Sequence, residues 1–141
     1  MNTHEEFALL VDQLVSLNRR HRASKPDLRE TMHPMQYAME MCTVAVTVGR
    51  AIGSSTYIKS RADDGPSLVV VPNERVRDHG YRGRAVYTID QVLRGHTRGL
   101  RFDTVYIDEP AMCFRREAFR TDAYAALTND KDAVTFVLLG T

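Results

Sequence analysis

Two stretches of the chain gather residue types that can do chemistry. In the first, Val44-Ala45-Val46-Thr47-Val48 runs into Gly49-Arg50-Ala51-Ile52-Gly53 and then Ser54-Ser55-Thr56. An apolar strand feeds a glycine-bearing loop, and small hydroxyl residues then open a helix. This arrangement aims backbone N–H groups and a helix N-terminus at one point, which favours an anion. Gly49 and Gly53 permit the turns and close approach such a loop needs. Ser55 or Thr56 could offer a hydroxyl to a magnesium ion. The same residues also fit a tight strand-to-helix turn that holds nothing. In the second stretch, Phe102-Asp103-Thr104-Val105-Tyr106-Ile107-Asp108-Glu109-Pro110, an apolar strand ends in two adjacent carboxylates. One acid at the tip, Asp108, could hold hydrated Mg²⁺, and Glu109 could orient and deprotonate an attacking water. The competing reading is a helix start, because acids beside a first-turn proline are good capping chemistry. Each stretch alone is ambiguous; their order and spacing of about 55 residues narrow the choice.

The elements that must position these residues follow from hydrophobic spacing. Phe7, Leu10, Val11, Leu14 and Leu17 recur at helical intervals and predict a helix over 4–20. Arg19, Arg20, His21 and Arg22 close it, either as cations suited to a helix C-terminus or as a phosphate-binding patch. A second helical stretch lies within 27–41, interrupted at His33-Pro34. Its Met32, Met35, Met39 and Met41 read as core fillers. From residue 43 the period changes. Five runs read as strands: Thr43–Val48, Ser67–Val71, Ala85–Ile89, Thr104–Ile107 and Val134–Leu139. Four are nearly continuous apolar runs, the pattern of parallel strands covered on both faces. Helix-like or turn-rich segments at 55–63, 73–79, 90–95 and 114–127 separate them. Strands alternating with helices predict a doubly wound α/β sheet, with 1–41 as a helical segment before an α/β core over 42–141 in one domain. The segment 75–84 is the least regular by this reading.

Composition narrows the function classes. The 141 residues are 43% hydrophobic and 26% charged, ordinary for a globular chain with one core. No apolar run reaches the roughly 18 residues of a membrane span, and the start, MNTHEEF, leads into no signal-peptide core, so a cytoplasmic location is expected. Cys42 and Cys113 are too few and too far apart for a disulfide scaffold or a zinc site. The five histidines show no metal-ligand spacing. A net charge of +1 excludes a polycation that coats nucleic acid. Sixteen of the 19 basic residues are arginine, the better residue for gripping phosphate or carboxylate. Seven of them (75, 77, 82, 84, 94, 98 and 101) lie between Glu74 and Arg101 for a local excess of about +4. This segment reads as a solvated surface with local ion pairs or as a nucleic-acid contact.

From about residue 33 to 141 the chain resembles the ATPase core of P-loop NTPases. It is similar to the RecA-like branch with an additional strand, to which phage large terminases and helicases belong. Gly49-Arg50-Ala51-Ile52-Gly53-Ser54-Ser55-Thr56 resembles the arginine-containing phosphate loop of terminases. Leu68–Asn73 and Tyr87–Gly95 resemble the following strands, and Val105–Glu109 the magnesium-and-base strand. Phe136–Thr141 resembles the coupling strand whose polar tip senses the γ-phosphate. His33-Pro34-Met35-Gln36 resembles the segment in which a glutamine reads the adenine edge. The resemblance implies a three-layer sandwich with a mainly parallel sheet in strand order 5-1-4-3-2. It also implies ATP and Mg²⁺ as cofactors. The loop residues 49–56, Gln36 and Thr141 would then contact nucleotide, Ser55 and Asp108 would hold the metal, and Glu109 would be the base.

The loop departs from the P-loop pattern G-x-x-x-x-G-K-[ST]. Val48 stands in place of the first glycine. Ser54 stands in place of the lysine that offsets charge on the β- and γ-phosphates. One such charge in a dry site is worth about 10²–10³-fold in rate. Arg50 is the replacement the sequence offers, while Lys59 points elsewhere on a helix. A small phage-type ATP-binding protein follows, its ATPase weak or dependent on a partner or a second copy, with a link to DNA packaging or processing. The alternative is a degenerate P-loop fold serving as a protein-interaction or nucleic-acid-binding module.

Overall fold

The computed structural model describes residues 1–81, 85–128 and 133–140. Five parallel strands form its sheet: β1 (Thr43–Val46), β2 (Ser67–Val71), β3 (Val86–Thr88), β4 (Thr104–Asp108) and β5 (Thr135–Leu139). The helices before β1 are α1 (Thr3–Ala23), α2 (Pro26–Thr31) and α3 (Pro34–Met41). Between strands lie α4 (Ser54–Ala62), α5 (Glu74–Gly80), α6 (Ile89–Leu93), α7 (Pro110–Cys113) and α8 (Glu117–Leu127).

The period-2 alternation of each strand divides its apolar residues between two cores. On one face Leu68, Val70, Val105, Ile107, Phe136 and Leu138 pack against α3, α6 and α8. Met35 and Met39 pack against the same core as fillers. On the other face Val44, Val46, Val69, Val71, Tyr106, Val137 and Leu139 pack against α1 and α4. The result is a three-layer α/β sandwich. Alternation also decides where β4 delivers its chemistry. Asp108 is two residues beyond Tyr106, so it emerges on the α1/α4 face, beside the start of α4.

The strand order is β1-β5-β4-β2-β3. This corrects the expected 5-1-4-3-2. The Val134–Leu139 strand does not flank β1 from outside; it lies between β1 and β4, and β2 rather than β3 neighbours β4. The reason lies in the burial of individual strand residues. Every residue of β4 and β5 is buried, which suits central strands, whereas β1 leaves Ala45 exposed at the sheet margin. Apolar runs of similar strength did not distinguish those positions.

Local signals set most boundaries. Asn2 caps α1 by accepting from the Glu5 N–H at 2.8 Å, and Pro34 restarts the chain as α3. Thr88 and Gln91 close a capping box on α6. The segment 75–84, expected to be irregular, is helical through Gly80 because Asn73 accepts from the Val76 N–H at 3.0 Å. Arg82 and Arg84 of that segment lie outside the described residues. No helix among the described residues is long and apolar enough to cross a membrane.

Candidate functional site

The carboxyl ends of β1, β4 and β5 meet at a cavity of about 440 Å³. Its lining is Gly49 through Thr56, together with Asp108, Glu109, Gly140 and His4. The loop and the acidic tip, 55 residues apart between Gly53 and Asp108, therefore form one site. Backbone bonds lock the three strand tips together. The Gly140 N–H donates to the Val46 carbonyl at 3.2 Å and the Glu109 N–H to the Leu139 carbonyl at 3.2 Å. Thr47 Oγ1 donates to the Gly140 carbonyl at 2.8 Å. Inserting β5 between β1 and β4 places Gly140 between the loop and the acids.

Left-handed backbone concentrates here. Gly49, Ala51, Gly53, Glu109 and Gly140 have φ of 90°, 59°, 103°, 52° and 99°. For Ala51 and Glu109 this conformation costs on the order of 1–2 kcal/mol each, the kind of strain that gathers at functional sites. At Gly53 it combines with crowding, since a Cβ would lie 2.9 Å from the His4 ring.

Asp108 is the best-held group. It is only 3% exposed. Its Oδ2 accepts from Ser55 Oγ at 3.0 Å and from the Tyr81 hydroxyl at 2.6 Å. Tyr81 is itself buried, and burial, followed by the Asp108 charge, pushes its phenol well above the ordinary range. It therefore stays a proton donor to the carboxylate. Behind the tip, Cys113 Sγ lies 3.4 Å from the Asp108 carbonyl, and burial, with Asp108 and Glu109 adding, pushes the thiol up to about 12. Such a thiol is inert at neutral pH. Glu109 is half-buried at the cavity wall, and Arg50 is exposed on the loop.

Most of the sequence-derived site residues come together, and one does not. Gly49, Arg50, Ala51, Ile52, Gly53, Ser54, Ser55, Thr56, Asp108 and Glu109 all line the cavity. Gln36 does not; it is exposed on α3, where its amide donates to Glu40 Oε1 at 3.3 Å. Thr141 lies outside the described residues. Lys59, expected to point elsewhere, is not among the residues lining the cavity; its ammonium lies 5.4 Å from the Tyr81 ring centroid. Sequence reasoning missed two residues. His4 reaches the loop from the first turn of α1, with its Nε2 3.3 Å from the Ala51 carbonyl oxygen. Tyr81 arrives from the end of α5. Neither has a motif-like neighbour, and only the packing of α1 and α5 on the sheet brings them in.

Among the described residues no cluster of three or more His, Cys, Asp or Glu could hold a metal unaided. One hydroxyl and one carboxylate are nevertheless the donor set that Mg²⁺ uses when phosphate oxygens and waters complete its shell. Ser55 and Asp108 fit that role.

The basic segments resolve differently. Arg77 pairs with Asp78 at 3.0 Å and donates to Gln91 Oε1 at 3.0 Å, and Arg94 pairs with Asp90 at 3.1 Å. Arg77 and Arg94 thus make the local ion pairs of a solvated surface. At the end of α1, Arg19 donates to Thr104 Oγ1 at 3.0 Å and Arg22 to Thr135 Oγ1 at 2.7 Å. They grip the amino ends of β4 and β5, at the opposite edge of the sheet from the cavity.

Compared with models of protein families, with curated proteins and with solved structures, the chain matches none of them.

Proposed function

We propose that the chain is a RecA-like P-loop protein that binds ATP with Mg²⁺ in the cavity at the β1, β4 and β5 tips. Its hydrolysis would be weak or dependent on a partner or a second copy. The observation that carries this reading is the 3.0 Å contact from Ser55 Oγ to Asp108 Oδ2 across a loop-lined cavity. A helix-opening hydroxyl and a strand-tip carboxylate converge where a phosphate-bound magnesium needs both. In this reading the backbone of 49–56 wraps the phosphates, and Arg50 supplies a cation. Ser55 and Asp108 hold the metal. Glu109, beside Asp108 and lining the same cavity, deprotonates the attacking water. Ser54 leaves the phosphates one cation short, which keeps the isolated chain slow. The link to phage DNA packaging or processing rests on the loop's resemblance alone.

The alternative, a degenerate fold used as an interaction module, draws on a different feature. Leu9, Leu10, Leu17 and Val48 are exposed, and Leu14, Leu17, Val44 and Ala45 line an open groove between α1 and the outermost strand, β1. Calorimetry with ATP, with and without Mg²⁺, separates the readings. The nucleotide reading expects Mg²⁺-dependent binding that Ser54→Lys strengthens about tenfold, the worth of one charge-assisted contact. No heat of binding in either protein would leave the interaction module standing.

A further inference from the structure

The phosphate loop lacks its lysine, yet the cavity has a basic group that the loop does not encode. His4 lines the cavity from α1. Its ring lies against Gly53, where a Cβ would meet Cγ at 2.9 Å and Cδ2 at 3.1 Å, and its Nε2 is 3.3 Å from the Ala51 carbonyl. The absence of a Cβ at Gly53 is what lets the imidazole sit this close to the loop backbone. We infer that His4 is a second cationic ligand of the phosphates, standing in for the missing loop lysine and making polyphosphate binding depend on pH. The inference rests on the nucleotide reading above.

The physical argument is one of charge and reach. A loop that gathers backbone N–H groups around three phosphates must offset several negative charges, and Arg50 provides one cation. Histidine is the side chain that ordinarily gains its proton between pH 5 and 8, and an adjacent polyphosphate favours the protonated form. The charged groups around it are few. Arg50, Asp108 and Glu109 line the same cavity. On its own helix the Met1 ammonium precedes it, and Glu5 and Glu6 follow. Of the other elements packed on α1, β1 and β5 carry no charged residue. On α4, Lys59 lies over Tyr81 and Arg61 is engaged with Asp12. With Arg50 engaged by phosphate, His4 is the imidazole that faces the same cavity from α1.

The test compares dissociation constants for ATP and for inorganic tripolyphosphate at pH 6.0 and 8.5, on the parent chain, His4→Gln and His4→Lys. Glutamine can still donate to the Ala51 carbonyl but cannot carry a charge, and His4 is exposed, so the fold tolerates it. Reading the ratio of variant to parent at each pH removes the ligand's own protonation. The ratio for His4→Gln should be near one at pH 8.5 and about ten at pH 6.0. His4→Lys should bind tighter than the parent at pH 8.5 and match it at pH 6.0. A His4→Gln ratio that is the same at both pH values, or a His4→Lys that binds no tighter than His4→Gln, overturns the inference. A parent chain that binds neither ligand at either pH overturns the nucleotide reading itself, and this inference with it.

Discussion

The two edges of the sheet collect polar residues at their strand ends, and they use them in opposite ways. At the amino edge, Arg19 and Arg22 from α1 donate to Thr104 and Thr135, and Thr104 Oγ1 donates onward to Asp103 Oδ1 at 2.8 Å. Arg22 also reaches Cys42 Sγ at 3.3 Å. Side chain answers side chain, so the edge is a latch that fixes α1 across the sheet. At the carboxyl edge, a cavity of about 440 Å³ remains, and two non-glycine residues sit in left-handed backbone. Asp108 is held there through Oδ2 by Ser55 and Tyr81. The same helix serves both edges: its 21 residues span about 31 Å, enough to put His4 at one edge and Arg22 at the other. Polar groups that satisfy one another stabilise a fold. Strained backbone around open space is what gathers at functional sites, and the proposed nucleotide reading takes this edge as arranged for a ligand.

If that division is right, substitutions at the two edges should separate binding and turnover from stability. The largest effect is expected at Glu109. Glu109→Gln removes the base while keeping the size of the side chain, so turnover should fall by at least about 10²-fold. Mg²⁺-dependent ATP binding should persist. Phosphate release measured beside calorimetry tests this, and unchanged turnover would remove Glu109 from the role of base.

Arg22→Ala tests the opposite edge. It strips the buried Thr135 hydroxyl of its closest donor and should cost about 1–2 kcal/mol of unfolding free energy. ATP affinity should stay the same. A denaturant titration read alongside calorimetry would show whether stability and binding separate in this way. A loss of affinity larger than the loss of stability would mean the latch is coupled to the cavity.

The residues of the candidate site were more legible in the sequence than their surroundings. Gly49 through Thr56 and Asp108-Glu109 announce themselves because anion loops and strand-tip acids need fixed residue types at short spacing. The all-parallel sheet was legible for a similar reason, since strands covered on both faces read as apolar runs. The strand order was not, because Val44-Ala45-Val46 and Val137-Leu138-Leu139 look alike until the burial of Ala45 and Leu138 is compared. Arg19 and Arg22 illustrate another limit. A basic run at a helix end suits the helix dipole wherever it lies, and nothing local says that it will reach strands more than 80 residues away. His4 and Tyr81 were hidden for the same reason, as their roles exist only once α1 and α5 have packed.

The strain argument predicts a smaller effect of unusual sign. Glu109 has φ of 52° and ψ of 63°, a conformation glycine adopts without penalty. Glu109→Gly should relieve that cost against the extra chain entropy of glycine, raising stability by ~0.5–1 kcal/mol. It should abolish turnover at the same time. A variant more stable and less active than its parent would show that the carboxyl edge holds strain for the sake of its side chain. A destabilised Glu109→Gly would instead make Glu109 a structural residue.

The smallest effect concerns the middle of α1, between the two edges. Asp12 takes a two-point ion pair from Arg61, with its closest approach at 2.7 Å, and a hydrogen bond from the Tyr57 hydroxyl at 2.7 Å. The Arg61 contact is the main reason its carboxyl lies below the ordinary value of 3.8; burial opposes it, and Tyr57 adds to it. A carboxyl whose folded value is lowered contributes stability above its unfolded value and loses it as the pH falls through the folded one. The contribution should therefore be constant from about pH 5 to 8 and fall away as the pH drops below the ordinary carboxyl value. The two side chains are 32% and 41% exposed, so solvent screens the pair and about 0.5 kcal/mol is expected. Asp12→Asn should match the parent in acid and fall short of it by that amount at neutral pH, as read from paired denaturant titrations. A gap that persists unchanged into acid would assign the effect to the Tyr57 hydrogen bond rather than to charge. The small size of the tie has a consequence for α1. Its position would then be set by Phe7 and Val11 in the core and by the contacts at its two ends, with the central ion pair adding little.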